Sequence, residues 1–365
     1  MRIKDVQLQV VEPPELVLQW RDEVPARQMV FTVVRLLTDD GVEGNCVTWL
    51  PDSGTEIADA IHRMLRPMVV GESLWNRELL WHKMTALSGF TVSNKAISAV
   101  DIALWDAAGK AVDLPVYQLL GAYRDRIKAY ASTVSYATTQ EYIDLALECQ
   151  KQGFQAFKLH AHGTPDADIG ICRAVREAVG DDMDLMLDPV STYAYDEALR
   201  VGRVLEELGF IWFEAPTRDE DIAGLKSLTD RLDITVLAGE TKARGIWEHA
   251  PYISAGAADM YRCVGDGIGG ITALRKLAAL CEAHNRKLEP HSYGSTLVQA
   301  AHLHHMLATK NCDYFEMPVP IGLLDYGMKS AIPLEPDGMV LAPTGPGLGY
   351  DIDWAAMDAA TVRTY

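Results

Sequence analysis

The pattern of apolar positions changes near residue 125. Before it, Ile3–Val11 alternates in part and Val30–Leu37 is β-branched, which predicts two strands. The turn Asp39-Asp40-Gly41 leads into Val42–Trp49, which predicts a hairpin. Three later segments carry apolar residues at helical spacing: Glu56–Met68, Trp75–Leu87 and Ala96–Leu120. We therefore predict an α+β segment over residues 1–125.

From Ile127 onward, a short apolar strand followed by an amphipathic helix repeats. The eight predicted strands are Ile127–Thr133, Phe154–His160, Asp184–Asp188, Phe210–Ala215, Ile234–Gly239, Asp259–Val264, Lys287–His291 and Tyr314–Glu316. Strands that alternate with helices pair in parallel, and eight such units close into a barrel. We predict this barrel over residues 126–320. The chain from Pro318 to Tyr365 is rich in Pro and Gly, and the tail at 321–365 is expected to return to the first domain.

Composition and charge narrow the class of protein. The 365 residues hold 33 basic and 51 acidic side chains, a formal charge of −18, and 48% are hydrophobic. A chain this acidic repels nucleic acid and anionic membranes, so neither is an expected partner. The start lacks a signal-peptide pattern and no window is apolar enough to span a bilayer, so we expect a soluble, cytoplasmic protein. The six cysteines form no CxxC pair and are expected to be buried and reduced.

Acidic residues end three consecutive predicted strands. These are Asp188, Glu214 and Glu240, and each of the two intervals between them is 26 residues, which is one strand-helix unit. Active sites of such barrels lie at the carboxyl ends of the strands, where these acids would converge. Their mutual repulsion is costly unless a cation lies between them, and oxygen-only ligands suit Mg²⁺. A single acid at a strand end more often caps a helix or forms a surface ion pair, but three at matched steps favour a metal site.

Other polar residues end the remaining strands. Lys158 and His160 lie two residues apart on one strand, so both point into the barrel mouth. His291 ends the seventh strand and Glu316 the eighth. Because histidine titrates near neutrality, His160 and His291 are candidate proton carriers, although a lone histidine is more often a core residue. The helical residues His302, His304 and His305 are assigned to packing or solvent.

These residues lie within a wider sequence resemblance. The chain resembles the mandelate racemase subgroup of the enolase superfamily over nearly its whole length. The most specific segments are Ala96–Asp106 (AISAVDIALWD), Leu114–Gly121 (LPVYQLLG), Trp212–Pro216 (WFEAP), Ala238–Glu240 (AGE) and Gly269–Thr272 (GGIT). The resemblance implies an α/β fold: a modified TIM barrel, (β/α)₇β, with an N-terminal α+β capping domain completed by the C-terminal tail.

The resemblance also implies a chemistry. Mg²⁺ would be held by Asp188, Glu214 and Glu240 and would bind the carboxylate of a small-molecule substrate. A base would then remove the proton from the adjacent carbon, with the developing charge shared by Lys158 and, if protonated, Glu316. The substrate-binding candidates lie in two loops of the capping domain, with Trp20 and Arg21 in the first and Trp49 in the second (Trp49–Gly54). The family often forms dimers or octamers, so a homo-oligomer is expected.

Two departures from the family pattern concern the bases. The second strand usually reads Lys-x-Lys, whereas His160 stands at the second position here. The sixth strand usually carries an Asp that orients the seventh-strand His, but Val264 stands there. Asp266, two residues on, is a possible orienting group for His291 if the strand end bulges. The absence of a lysine on this strand argues against the muconate-lactonizing and dipeptide-epimerase subgroups.

Three functions follow from this pattern. The preferred one is dehydration of an acid sugar, an aldonate or aldarate, to a 2-keto-3-deoxy acid. His160 is first assigned as base and His291 as acid, and the stereochemistry of the substrate could exchange these roles. The alternative is a racemase or epimerase of a 2-hydroxy acid or related carboxylate, in which both histidines act on one carbon. A remote alternative is a non-catalytic binding protein, motivated by the missing sixth-strand Asp.

Overall fold

The computed structural model describes residues 1–14, 16–21, 24–51, 54–89, 91–240 and 245–365, without the side chains at 50 and 51. Its strands are β1 (Ile3–Val11), β2 (Val17–Leu18), β3 (Arg27–Thr38), β4 (Glu43–Pro51), β5 (Arg126–Ser132), β6 (Ala156–His160), β7 (Asp184–Asp188), β8 (Trp212–Glu214), β9 (Thr235–Ala238), β10 (Met260–Val264), β11 (Lys287–His291), β12 (Tyr314–Pro318), β13 (Met339–Leu341) and β14 (Thr361–Thr364).

The α-helices are α1 (Thr55–Ala60), α2 (Arg66–Val69), α3 (Arg77–Thr85), α4 (Asn94–Ala111), α5 (Val116–Leu119), α6 (Thr139–Lys151), α7 (Pro165–Val179), α8 (Tyr195–Glu207), α9 (Ile222–Arg231), α10 (Ile246–Ala255), α11 (Gly270–Ala283), α12 (Thr296–Leu307) and α13 (Trp354–Ala359). A π-helical turn, Ile61–Leu65, joins α1 to α2, and a 3₁₀ turn, Gly265–Gly267, follows β10.

The first domain is an antiparallel sheet covered by helices. β1 and β4 both pair with β3, and the β3–β4 ladder runs from Leu37↔Glu43 to Met29↔Pro51, so the predicted hairpin is confirmed. The single helix predicted over Ala96–Leu120 is wrong in its second half. α4 ends at Ala111 and α5 begins only after Pro115, because a residue that precedes proline disfavours the helical conformation.

The eight predicted barrel strands are confirmed, with small differences in length. β5 to β12 form a parallel sheet in the order β11-β10-β9-β8-β7-β6-β5-β12, and one helix from α6 to α12 follows each of the first seven strands. The sheet is nearly closed, since the carboxylates of Glu289 on β11 and Glu316 on β12 accept backbone N–H bonds across that gap. This is the (β/α)₇β barrel.

The chain after residue 320 makes two further pairings. β13 pairs antiparallel with β5 at the barrel. β14 pairs antiparallel with β1, with Gln9 opposite Thr364. The last strand therefore lies on the sheet of the first domain.

Helix α4 anchors the capping domain to the barrel. Asp101 accepts hydrogen bonds from the backbone N–H (2.9 Å) and the hydroxyl (2.6 Å) of Thr272, in the first turn of α11. Ser98 accepts a hydrogen bond from the Gly269 backbone. Gly270 has φ +82°, and a Cβ there would lie 2.5 Å from the Asp101 carboxylate, so only glycine fits this contact. The cap is thus attached at the end of β10, beside the barrel mouth.

Two expectations from composition can be compared with the structure. All six cysteines are buried and free of disulfides, as predicted. Among the described residues, no helix combines the length and the apolar character needed to cross a bilayer.

Candidate active site

Three carboxylates meet at the carboxyl ends of β7, β8 and β9. One oxygen from each of Asp188, Glu214 and Glu240 lies within 4.8 Å of the other two. Asp188 and Glu214 are buried, and the Glu240 side chain is 20% exposed. Parallel strands of one barrel end at the same rim, which explains how acids 26 residues apart come together.

Lys158 lies at the centre of this carboxylate cluster. Its Nζ is 3.1 Å from both oxygens of Glu214, 3.2 Å from Glu316 and 3.8 Å from Asp188. Burial favours the neutral amine, but the surrounding carboxylates outweigh it, so the pKa of Lys158 lies above its ordinary value. The side chain is therefore a fixed ammonium in the barrel mouth.

His160 lies on the same strand and contacts a different carboxylate. Its Nε2 is 3.1 Å from Oδ2 of Asp188, while its buried Nδ1 has no hydrogen-bond partner in the part of the chain that the structure describes. Burial lowers the pKa of His160 despite the Asp188 hydrogen bond. In the tautomer that donates through Nε2, Nδ1 carries a free lone pair. His160 is then a neutral imidazole with its basic nitrogen available.

Sequence reasoning missed Arg262, which lies on β10 and is fully buried. Its Nε is 2.6 Å from oxygens of both Glu214 and Glu240, and its Nη2 is 2.8 Å from Glu316. The available signal was a charged residue inside an apolar strand, since buried arginines are rare unless paired. Arg262 is thus the second cation of the cluster.

Glu316 lies between the two cations, Lys158 and Arg262. It accepts hydrogen bonds from the Ser132 hydroxyl and the Ser292 backbone, both at 2.8 Å, besides its contacts with Lys158 and Arg262. Burial acts to raise the pKa of Glu316, but Arg262 and Lys158 outweigh it and hold that pKa well below its usual range. The surroundings thus favour ionised Glu316, which accepts hydrogen bonds; its role as a donor, which depends on protonation, stays a prediction.

His291 ends β11 at the same rim. Its Nε2 is 3.9 Å from Oε1 of Glu240, and its side chain is 22% exposed. Asp266 lies in the turn after β10, where it pairs with Lys95 at 3.0 Å and Thr48 at 3.2 Å, both from the capping domain. No ion pair within 4.0 Å joins Asp266 to His291 in the described chain. The last residue of β10 is Val264, which has no polar group to orient His291. The orienting role of Asp266 stays a prediction.

The capping-domain residues reach the mouth to different degrees. The Trp20 ring stands edge-on to His160 at 4.6 Å and to Tyr293 at 6.2 Å between centroids. Arg21 donates a long hydrogen bond of 3.4 Å to the Pro189 carbonyl, beyond the end of β7. Trp49 is half-buried, with its carbonyl bonded to Lys95 at 2.8 Å. Of the second predicted loop, residues 52 and 53 lie outside the described residues.

Tyr293 is a second residue that sequence reasoning missed. It is 5% exposed and lies 6.2 Å from His291 between ring centroids. No described residue forms a hydrogen bond with its hydroxyl. A buried hydroxyl without a partner is costly, so this group is a candidate contact for a bound molecule.

The three carboxylates fit a magnesium ion. They supply only oxygen ligands from three rigid strand ends, and their spacing allows one ion to contact all three. Within the cluster, four carboxylates (Asp188, Glu214, Glu240 and Glu316) face two cations (Lys158 and Arg262). With all four carboxylates ionised the formal charge is −2, which matches one divalent cation; without such a cation, burial raises the pKa of Glu214. Mg²⁺ is therefore the cofactor that this site accommodates.

Comparison with known families agrees with this fold and metal site. Residues 22–121 match the model of the mandelate racemase / muconate lactonizing enzyme N-terminal domain. Residues 141–356 match the enolase C-terminal domain-like model. The two models together account for most of the chain.

The individual relatives include dehydratases and an epimerase. The chain is 28% identical to arabinonate dehydratase of Saccharolobus solfataricus, over 89% of this chain and 88% of the relative. It is 31% identical to L-Ala-D/L-Glu epimerase of Bacillus subtilis, over 87% and 88%. The crystal structure of D-glucarate dehydratase from Agrobacterium tumefaciens complexed with magnesium matches with TM-score 0.89 and 34% identity, over 100% of both chains.

Proposed function

The chain belongs to the mandelate racemase / muconate lactonizing enzyme family of the enolase superfamily, and from that premise we propose that it dehydrates an acid sugar. It is an enzyme of the dehydratase or racemase type that uses Mg²⁺. The proposed substrate is an aldonate or aldarate, and the proposed product is the 2-keto-3-deoxy acid. Two of the relatives named above are dehydratases, of arabinonate and of D-glucarate, which supports this class.

The contact between His160 and Asp188 is the observation that carries the proposal. His160 is a neutral base whose Nε2 lies 3.1 Å from the proposed ligand Asp188, so it would lie close to a substrate carboxylate held at that site. We therefore assign removal of the proton on the adjacent carbon to the unpartnered His160 Nδ1. When bound by Asp188, Glu214 and Glu240, Mg²⁺ supplies positive charge that acidifies this carbon and stabilises the charge developing on the carboxylate oxygens.

The chain's own residues account for the remaining steps. His160 Nδ1 accepts the proton from C2, and the Lys158 ammonium adds fixed positive charge near the substrate carboxylate. His291 donates a proton to the hydroxyl that leaves C3 as water, and the resulting enol tautomerises to the ketone. His291 is the more exposed of the two histidines, so it can regain its proton from solvent. The Trp20 ring against His160 excludes water from the base.

A racemase is the second candidate, because two histidines end strands at the same rim. His160 and His291 are three positions apart around the barrel, on β6 and β11. If both reached one carbon from opposite sides, one would remove the proton and the other would return it with inversion. The L-Ala-D/L-Glu epimerase among the relatives supports epimerisation as a reaction type, but not that substrate, because β10 carries no lysine.

One experiment distinguishes the candidates. The Mg²⁺-loaded protein is incubated in D₂O with a panel of aldonates and aldarates, and NMR follows the C2 proton and the products. Dehydration predicts loss of that proton together with formation of a 2-keto-3-deoxy acid. Deuterium incorporation with inversion and without loss of water would replace the dehydratase by the racemase. No reaction with any panel member would refute the proposal.

Variants test the assignment of the base. His160→Asn should lower kcat at least about 100-fold, since general-base catalysis contributes about 10²–10⁴. His284→Asn is the matched control, because His284 is exposed at the end of α11 and should leave kcat unchanged. Full activity of His160→Asn would remove His160 from the mechanism.

A further inference from the structure

We propose that Arg262 is a positioning residue that fixes the ligand carboxylates for the metal. Its guanidinium contacts two of the three proposed ligands, Glu214 and Glu240, and also Glu316. The inference rests on the metal site of the proposed function but not on its substrate. A substrate assay therefore tests the proposed reaction, and a metal titration separately tests the role of Arg262.

The strand pattern explains why Arg262 points into the barrel. Met260, two residues before it, packs with Tyr130 and Trp212 in the inner core of the barrel. Tyr261 and Cys263, on either side, pack in the main hydrophobic core. Because side chains alternate along a strand, Arg262 shares the inner face with Met260, one layer closer to the mouth.

The contacts of Arg262 leave ligand oxygens available to a metal. Its Nε lies 2.6 Å from Oε1 of Glu214 and 2.6 Å from Oε2 of Glu240. The second oxygen of Glu240, Oε1, instead faces His291 at 3.9 Å. Glu240 can therefore contact Arg262 through one oxygen and a metal through the other, whereas both oxygens of Glu214 also lie 3.1 Å from Lys158 Nζ. Partners of this kind orient metal ligands.

The remaining donors tie the guanidinium to the barrel wall. Nη2 is 2.8 Å from Glu316 on β12, and Nη1 is 3.1 Å from the Tyr130 hydroxyl on β5. One rigid group thus connects β5, β8, β9 and β12. A lysine offers a single flexible point charge and could not reproduce this fork.

If Arg262 contributed only its charge, removing it would change metal affinity in the opposite direction from the loss of a positioning residue. A cation beside the ligands repels Mg²⁺, so its loss would tighten metal binding if Arg262 only contributed charge. If Arg262 positions the carboxylates, its loss weakens metal binding despite the gain in negative charge. The sign of the change in affinity therefore decides between the two roles.

The test measures metal binding without substrate. Mg²⁺ affinity is measured by isothermal titration calorimetry, and the symmetry of the site by electron paramagnetic resonance of bound Mn²⁺. Arg262→Gln should raise the Mg²⁺ Kd about 10- to 100-fold and change the Mn²⁺ spectrum, as losses of ligand-orienting groups do. Arg262→Lys should recover part of the affinity. Tyr130→Phe, which removes one anchor of the guanidinium, should raise Kd by less than tenfold.

The control is an arginine with a purely structural role. Arg176 donates to the backbone carbonyls of Leu208 and Gly180, away from the mouth. Arg176→Gln should lower the melting temperature and leave the Mg²⁺ Kd unchanged. An unchanged or lower Kd in a folded Arg262→Gln protein would overturn the proposal. If that variant does not fold, Arg262→Lys and Tyr130→Phe decide: an unchanged Mg²⁺ Kd in both would overturn it.

Discussion

Tyr293→Phe tests whether the buried hydroxyl beside His291 serves the fold or a bound molecule. The substitution removes one oxygen and leaves the ring contacts with Trp20 and His291 in place. In the described chain this hydroxyl has no hydrogen-bond partner. We therefore expect the variant to keep the stability of the parent or to exceed it.

The expected magnitude follows from the burial of the group. A buried polar group without a partner costs about 1–3 kcal/mol, which the variant recovers in whole or in part. For 365 residues, an unfolding entropy of about 2 cal/mol/K per residue makes 1 kcal/mol equal to about 1.4 °C. The melting temperature should then stay constant or rise by up to about 4 °C.

Tyr142→Phe provides the opposite case. The buried Tyr142 hydroxyl donates to the His160 carbonyl at 2.8 Å and accepts from the Tyr136 backbone at 2.9 Å. Its removal leaves the Tyr136 N–H unpaired and leaves the His160 carbonyl with only the longer hydrogen bond from Ser135 at 3.3 Å. The melting temperature should fall by about 1–4 °C. Calorimetric scans of the Mg²⁺-loaded proteins measure both variants.

The refuting result is a loss of stability in Tyr293→Phe equal to that in Tyr142→Phe. Such a loss would mean that the hydroxyl is already satisfied in the free protein. For a substrate contact, the KM of Tyr293→Phe should also rise about tenfold, the value of one hydrogen bond of about 1.4 kcal/mol.

Three further predictions concern stability. Chelation of Mg²⁺ should lower the melting temperature, because Mg²⁺ at 100 times its Kd stabilises the folded protein by about 2.7 kcal/mol. A melting temperature independent of Mg²⁺ would contradict the metal site. Burial lowers the pKa of His305 to about 3 and those of His302 and His304 to about 4, so stability should fall as pH drops from 6.5 to 4. Urea unfolding should show a flatter dependence of stability on pH for His305→Phe, and an identical dependence would refute this. Burial raises the pKa of Asp101 to about 7. The protonated carboxyl therefore contributes at most about 4 kcal/mol to stability, and this contribution is lost as pH rises from 4 through 7. Urea unfolding of Asp101→Asn should lack this loss, and an unchanged pH dependence would contradict it.

The barrel and the acidic ligands were predictable because they rest on one local regularity. A strand-helix unit repeats along the chain, and the residue at the carboxyl end of each strand lies at the common rim. Asp188, Glu214 and Glu240 therefore converge whatever the details of packing. The same reasoning places Lys158 and His160, which share one strand face.

The residues that escaped prediction depend on contacts between distant segments. Arg262 shows its role only when three carboxylates from β8, β9 and β12 surround it. Asp266 was proposed to orient His291 because it lies two residues after Val264, but its partners Lys95 and Thr48 come from the capping domain. The periodicity of one segment carries no information on such long-range pairs.

The charges at the mouth imply an order of binding. With all four carboxylates ionised, the described cluster has a formal charge of −2 against Lys158 and Arg262, within a chain of charge −18. An anionic sugar acid would meet repulsion at this mouth until a divalent cation neutralises it. We therefore predict that Mg²⁺ binds before the substrate. Calorimetric titration of the aldonate or aldarate that proves to be the substrate should give no binding in EDTA and saturable binding with Mg²⁺ in the His160→Asn variant, which does not turn it over. Equal substrate affinity in both conditions would show that the two cationic side chains alone attract the substrate.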